Sequence, residues 1–457
     1  MKRSFGCFRF ASVPRSRRQM LRDCSAGFGG LALAALLPGW EAAAARTHFA
    51  PKAKRVIFLF MAGGVSHVDT FDPKPGLDKL DGKTSTGNRK YLGSPWKFSP
   101  CGESGISVSE LFPQIARHVD DLAIVRSMKA EFPLHSRGNL FLHTGRNVPG
   151  APSLGAWISY GLGSDRSDLP GYVVLNDSEI PAGGMENFAS AFLPATHQAT
   201  LLNASAIPLR NVKPSDAANV QRLKLDVIRG QDESFAASVG DDAIGSAIRN
   251  YEVAFSMQSR VPDVLDLSHE TEQTHKLYGL DAAAATRTYG TQCLRARRLL
   301  EAGVPFVEIS MFGTGNGGWD QHGNLRKGHA QNALTVDLPI AGLIQDLKDR
   351  GLWQDTVILF SGEMGRTLDT GNGDGRDHHV TGFSAWLAGG GIKGGIVHGA
   401  TDEIGEHAVE KVCTIHDLHA TILHLLGFDH EKLTYRFGGR DMRLTDVSGT
   451  VVKGILT

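Results

Sequence analysis

The stretch RVIFLFMAGGVSHVDTFDPKP, Arg55 to Pro75, decides the fold. Arg55 to Met61 is an apolar run closed by Gly63-Gly64, which reads as a strand of a buried sheet. The loop after it carries Ser66, His67, Asp69 and Asp72 within seven positions. A strand followed by a loop loaded with polar chemistry is the hallmark of an open α/β sheet, where ligands bind beyond the carboxyl ends of the strands.

Working outward, similar apolar runs occur at Leu122 to Ser127, Tyr172 to Leu175, Pro305 to Ser310, Thr356 to Ser361 and Phe383 to Leu387. Helical spacing of apolar residues lies between them, at Ser109 to His118, Leu154 to Gly161, Ser215 to Ile228, Ala243 to Met257, Ala284 to Ala302, Ala330 to Arg350 and Thr414 to Leu426. The alternation predicts a largely parallel sheet with helices on both faces. Residues 183–280, poor in strand signal, read as a helical insertion, and Lys74 to Ser104 as a surface excursion.

With 457 residues the chain is long enough for one large domain with insertions. Lys plus Arg and Asp plus Glu both number 48, so no net field draws nucleic acid or an anionic membrane. The 54 glycines and 18 histidines suit an enzyme built on loops, since glycine permits close backbone approach and histidine supplies metal ligands and proton carriers.

Residues 1–45 read as an address. Ser16 to Arg22, SRRQMLR, is similar to a twin-arginine export signal, and it precedes the apolar run Ala26 to Leu37 and the alanines Ala42 to Ala45. The run is shorter than the roughly 18 residues a membrane span needs. The expectation is a folded protein exported to the periplasm or secreted, cleaved near Ala45, with residues 46–457 as its single domain and no membrane span in the mature chain. Cys101, Cys293 and Cys413 then remain, too few and too widely spaced for a disulfide framework.

Four loops beside strands carry potential ligands: the opening loop, GNGGWDQHG at 315–323, GEMGRT at 362–367 and GRDHH at 375–379. Asp320 and His322 alternate, which in an extended segment places both on one side. Carboxylate and imidazole together are the ligand set of zinc or a similar divalent ion. Arg366 and Arg376 match the charge and fork geometry of a phosphate or sulfate. Each loop alone has a plainer reading as turn chemistry, a helix cap or a hydrogen-bonded histidine pair; all four beside strands point to one shared site.

PLHSRGNLFLHTGR, Pro133 to Arg146, resembles the sulfatase segment that holds the nucleophile at a helix start, and LAGGGIKGG at 387–395 resembles the same superfamily's Gly-Ile-Lys turn. MAGGVSHVDTFDPKP, GGWDQHGN, EMGRT, GRDHH, DLHATILHLLGFDH at 417–430 and GRD at 439–441 together resemble the domain of unknown function 1501 family, within the alkaline phosphatase and sulfatase superfamily. The resemblance implies a three-layer α/β/α alkaline phosphatase-like fold and a metal-dependent hydrolase of phosphate or sulfate esters, with a small-molecule or polysaccharide ester as substrate. A protein that keeps the fold and binds a metal or anion without turnover is the alternative. The resemblance implies a divalent cofactor (Zn, Ca or Mg) held by Asp320, His322 and His378, with His379 as the alternative to His378 and with Glu363, Asp377 and Asp69 as further ligands. His135 falls at the sulfatase cysteine position, so formylglycine chemistry has no residue there. Catalytic roles go to His135, Ser136 and His67, and Arg366 and Arg376 hold the anion. Met364 and Ala62-Gly63-Gly64 stand where the superfamily places ligands of a second metal, a poor donor set for one.

Overall fold

A computed structural model describes residues 47–163, 168–176, 179–203, 216–239, 242–312, 318–371 and 373–457. The leader expected over residues 1–45 lies outside them. In chain order the strands used below are β1 (Arg55–Met61), β2 (Leu122–Lys129), β3 (Tyr172–Asn176), β4 (Thr200–Asn203), β5 (Phe306–Met311), β6 (Thr356–Ser361), β7 (Gly365–Thr370), β8 (Arg376–His379), β9 (Phe383–Gly389), β10 (Ile396–His398) and β11 (Cys413–Thr414). The helices used below are α1 (His67–Thr70), α2 (His135–Thr144), α3 (Leu154–Leu162), α4 (Ala218–Val239), α5 (Asp242–Leu265), α6 (Ala284–Glu301), α7 (Leu325–Asp349) and α8 (Ile415–Leu425).

Among the described residues the central sheet has nine strands, in the order β10-β2-β9-β6-β1-β5-β3-β4, with β11 also pairing β2. All its pairings are parallel except those of β9, which runs antiparallel to both β2 and β6. The quoted stretch supplies the middle strand. Along β1, Ile57, Leu59 and Met61 join one buried apolar cluster with Leu294 of α6 and Val336 and Ile340 of α7. Val56, Phe58 and Phe60 join a second with Trp157 of α3 and Ile422 of α8. Alternate side chains thus point into two helical layers, which is the three-layer α/β/α arrangement expected. β1 is apolar on both faces because both faces are covered.

Local signals set the helix ends. Thr414 and Asp417 form a reciprocal capping box at the start of α8, and Ser153 caps α3. Gly145, at φ 67°, closes α2 in the left-handed conformation that favours glycine. Two expectations need correction. Ser109 to His118 is not an α-helix, because Pro113 interrupts the pattern; its residues form the end of a short strand, Ile106–Ser109, and the start of a 3-10 turn, Ile115–Asp121. The region 183–280 is not wholly helical either, since β4 lies within it and extends the sheet beside β3, ahead of α4 and α5. Among the described residues no helix is long and apolar enough to cross a membrane.

Candidate metal centre

The polar loops follow the carboxyl ends of the parallel strands. The loop after β1 enters α1, the WDQH loop follows β5, and Glu363 and Met364 link β6 to the hairpin of β7 and β8, in which His378 pairs Arg366 and His379 pairs Gly365. Glycine allows the crowding. A side chain at Gly64, φ +80°, would meet the Met364 carbonyl at 3.0 Å, and one at Gly375 would lie 2.0 Å from the His322 backbone. Arg376 N–H donates to the Gln321 carbonyl at 2.9 Å, tying the second loop to the fourth.

His135, Asp320 and His378 converge, with one ligand atom from each within 4.8 Å of the others. His135 Nε2 lies 3.2 Å from Asp320 Oδ2, and His378 Nε2 lies 3.2 Å from Asp320 Oδ1. Each ring is held from behind: His135 Nδ1 lies 2.6 Å from Glu363 Oε1, and His378 Nδ1 lies 2.5 Å from the Pro133 carbonyl. A carbonyl only accepts, so His378 Nδ1 donates to Pro133, and Nε2 is the ring atom turned toward Asp320. His322 repeats the pattern, with Nδ1 2.7 Å from Asp377 Oδ1 and Nε2 3.0 Å from Asp320 Oδ1, but its side chain is 42% exposed at the rim. Imidazoles oriented by oxygen acceptors, with their other nitrogens converging on one carboxylate, are the arrangement of a metal site and its supporting shell.

The electrostatics agree. Burial opposes protonation of His135, but hydrogen bonds to Asp320 and Glu363 outweigh it and push its pKa up to about 9. Burial also works against the Asp320 carboxylate, yet His135, His378 and Arg366 hold it far below the usual carboxylate range. The cluster therefore calls for a cation between its carboxylates, whether a proton on His135 or a metal ion.

The remaining predicted residues fall into other positions. Arg376 is fully buried and donates to Asp69 from Nε at 2.7 Å and Nη2 at 3.1 Å, and to the Leu92 and Thr367 carbonyls. Arg366 is also fully buried, donating to the Gly63, Gly64 and Arg376 carbonyls and to Asp320. Both act as internal struts, which corrects their reading as anion grips; Asp69 accepts from Arg376 on both oxygens and from Ser66 on Oδ2, and stands apart from the His135, Asp320 and His378 group. His67 faces the Gly405 carbonyl at 2.7 Å and stacks near His379, ring to ring at 6.1 Å; burial pulls its pKa down to about 4. His379 turns to the Glu406 carbonyl, so His378 is the inward member of the pair. Ser136 is exposed beside His135.

Glu363 is buried and accepts from the Gly63 backbone at 3.0 and 3.1 Å as well as meeting His135, a supporting position rather than a first ligand. Asp377, hydrogen bonded to His322 and Arg89, likewise stands behind the centre. Arg89 was hidden from sequence reading in a stretch without periodicity, and the Pro133 carbonyl carried no side-chain signal.

Solved structures similar to the chain include the PsFucS1 sulfatase from Pseudoalteromonas sp., at 12% identity over 92% of this chain and 73% of that one, TM-score 0.36. Alkaline phosphatase from the Antarctic bacterium TAB5 matches at 10% identity over 82% and 98%, TM-score 0.37, and the lipoteichoic acid synthase LtaP from Listeria monocytogenes at 10% over 89% and 76%, TM-score 0.36. No curated protein matches the sequence. The family described as "Protein of unknown function (DUF1501)" matches residues 53–456, nearly the whole of the described chain, and the protein belongs to that family.

Proposed function

We propose that the protein is an exported, metal-dependent hydrolase of phosphate or sulfate esters. The observation that supports it is the convergence of His135 at the start of α2, Asp320 in the loop after β5 and His378 in β8, each imidazole fixed through Nδ1 and turned through Nε2 toward the same carboxylate. Two imidazoles and a carboxylate fit one divalent ion and leave room for an open position. Export rests on the SRRQMLR leader at 16–22.

In this reading His135 Nε2, His378 Nε2 and Asp320 hold the ion, which when bound supplies a Lewis acid and an acidified water. Glu363 keeps His135 aligned through Nδ1, and the Pro133 carbonyl does the same for His378. His322, its Nδ1 proton held by Asp377, presents Nε2 at the rim, placed to take a proton from an attacking water. Gly64 and Gly138 are both in contact range of the buried Met364 side chain, so the neighbouring volume is filled by a thioether, and a second ion does not fit there.

One observation favours the alternative of binding without turnover: among the described residues no hydroxyl or thiol is hydrogen bonded to His135, Asp320 or His378. Metal analysis and assays with aryl phosphate and aryl sulfate, on wild type and Asp320→Ala, decide the matter. Hydrolysis with stoichiometric metal, both lost in the variant, is the expected result. Metal without turnover leaves the binding protein, and no metal refutes the centre.

A further inference from the structure

Leu134 breaks two rules at once. It is the N-cap of α2, where Ser, Thr, Asp or Asn would satisfy a free backbone N–H, and its side chain makes no capping hydrogen bond. It is also 56% exposed, although leucine is a core residue. Neither helix propensity nor burial explains it, and residues that violate both in this way concentrate at functional sites.

Its position is fixed against the metal centre. Pro133, the residue before, gives its carbonyl to His378 Nδ1, and His135, the residue after, enters the cluster itself. Two further exposed apolar side chains lie on the segment that passes the first turn of α2: Ile180 at 47%, and Met185, in the 3-10 turn Gly184–Phe188, at 44%. That loop is held to the helix, since Asn139 Nδ2 donates to the Ala182 carbonyl at 3.0 Å and a side chain at Gly183 would come within 3.1 Å of the Ser136 carbonyl. Single exposed apolar residues are ordinary on protein surfaces, but Leu134 stands between two residues that hold the centre, and Ile180 and Met185 flank the Ala182–Gly183 pair that packs on the same helix.

We propose that Leu134, Ile180 and Met185 form an apolar lip that takes the hydrocarbon part of an amphiphilic ester, while the anionic group enters the His135, Asp320 and His378 centre. This rests on the hydrolase reading and narrows its substrate to a small ester bearing an alkyl chain. Leucine is tolerated at the cap because it contacts substrate.

The test uses the full mature chain purified from an exporting host, with binding followed by calorimetry for methyl, butyl, hexyl and octyl phosphate and the matching sulfates, all below their aggregation limits. Wild type should bind tighter by roughly threefold to fourfold per methylene over the first carbons that reach the lip. Leu134→Ser should flatten this dependence while leaving the melting temperature unchanged or raised, because serine is the better cap. Leu134→Ser combined with Met185→Ser should abolish it, with metal content unaltered. Equal binding of methyl and octyl esters by wild type overturns the lip, as does a Leu134→Ser variant that keeps the full chain-length dependence. Adsorption to neutral phosphatidylcholine vesicles without any chain-length dependence for the monomeric esters also overturns it, in favour of a membrane-facing patch. Chain-length-dependent binding without hydrolysis of any ester keeps the lip and refutes turnover alone.

Discussion

Glu363 Oε1 lies 2.6 Å from His135 Nδ1 across 228 positions of sequence, and the same carboxylate accepts the Gly63 N–H with both oxygens. One buried side chain thus joins the loop after the central strand to the helix that begins with His135.

Glu363→Ala should leave both partners unpaired in a buried setting and destabilise the fold by about 3–5 kcal/mol. Metal affinity should fall on the order of tenfold to a hundredfold as His135 loses its orientation. Urea unfolding together with metal titration checks both, and Glu363→Gln, which keeps one acceptor, should show smaller losses. An unchanged urea midpoint in Glu363→Ala would mean that the carboxylate is not a strut.

Metal content should separate ligands from neighbours. Asp320→Ala or His378→Ala should lower affinity by orders of magnitude. His322→Ala, at the exposed rim, should cost on the order of tenfold, and His269→Ala, on an 86% exposed side chain, nothing. Elemental analysis after dialysis ranks the four; equal metal in all of them would reject the centre.

Arg376→Ala should act on stability rather than on anion affinity. The guanidinium and Asp69 are both fully buried, so truncation strands a carboxylate in the interior, at a cost of about 3–5 kcal/mol. Arg376→Lys should recover little, since an ammonium cannot reproduce the two-pronged bond. Weakened phosphate binding with an unchanged unfolding midpoint would restore the outward reading.

Acid should destabilise the protein before its carboxylates titrate. Burial lowers the pKa of His67 to about 4 and those of His329 and His419 to about 3. The unfolded chain, titrating near 6.5, binds more protons than the native one below that pH, so stability is present above about 6.5 and lost as pH falls toward the folded values. Each imidazole contributes a slope of up to about 1.4 kcal/mol per pH unit. Urea midpoints at pH 7.5, 6 and 5, measured in chelator to remove metal effects, should fall most steeply below about 6.5, because His135, raised to about 9, gains stability from its proton above that pH and offsets part of the loss there. His419→Gln, which keeps a donor for the Leu142 carbonyl, should reduce the slope.

The sheet was legible because its strands are nearly uninterrupted apolar runs, and Thr356 to Ser361 falls where the sequence reading put it. β4, TLLN, is too short and too polar to stand out, and β7 and β8 carry GRTLDT and RDHH, whose composition answers to the site rather than to strand propensity. At the site, loop position singled out Asp320, His378 and Glu363. Direction was not legible: an arginine in a Gly-rich loop reads as facing solvent, whereas Arg366 and Arg376 fold inward, to each other's strand of the hairpin and to the Gly64 and Leu92 carbonyls of distant segments. Only tertiary placement distinguishes Asp69, closed off by Arg376, from Asp320.

The central position of β1 also dictates a timetable. Val56 pairs with Phe306 and Arg55 with Thr356, so both neighbours of the first strand are made at least 250 residues after it. At about 5–20 residues per second of synthesis, β1 waits roughly ten to fifty seconds for either partner. Through that interval RVIFLFM, a segment of high β-propensity with one charge, lies open to other chains. Assembly is thus a late event led by the C-terminal half, slow by virtue of its non-local pairings, and ribosome-associated chaperones that shield the first strand should raise the yield of native protein more than any change to the site.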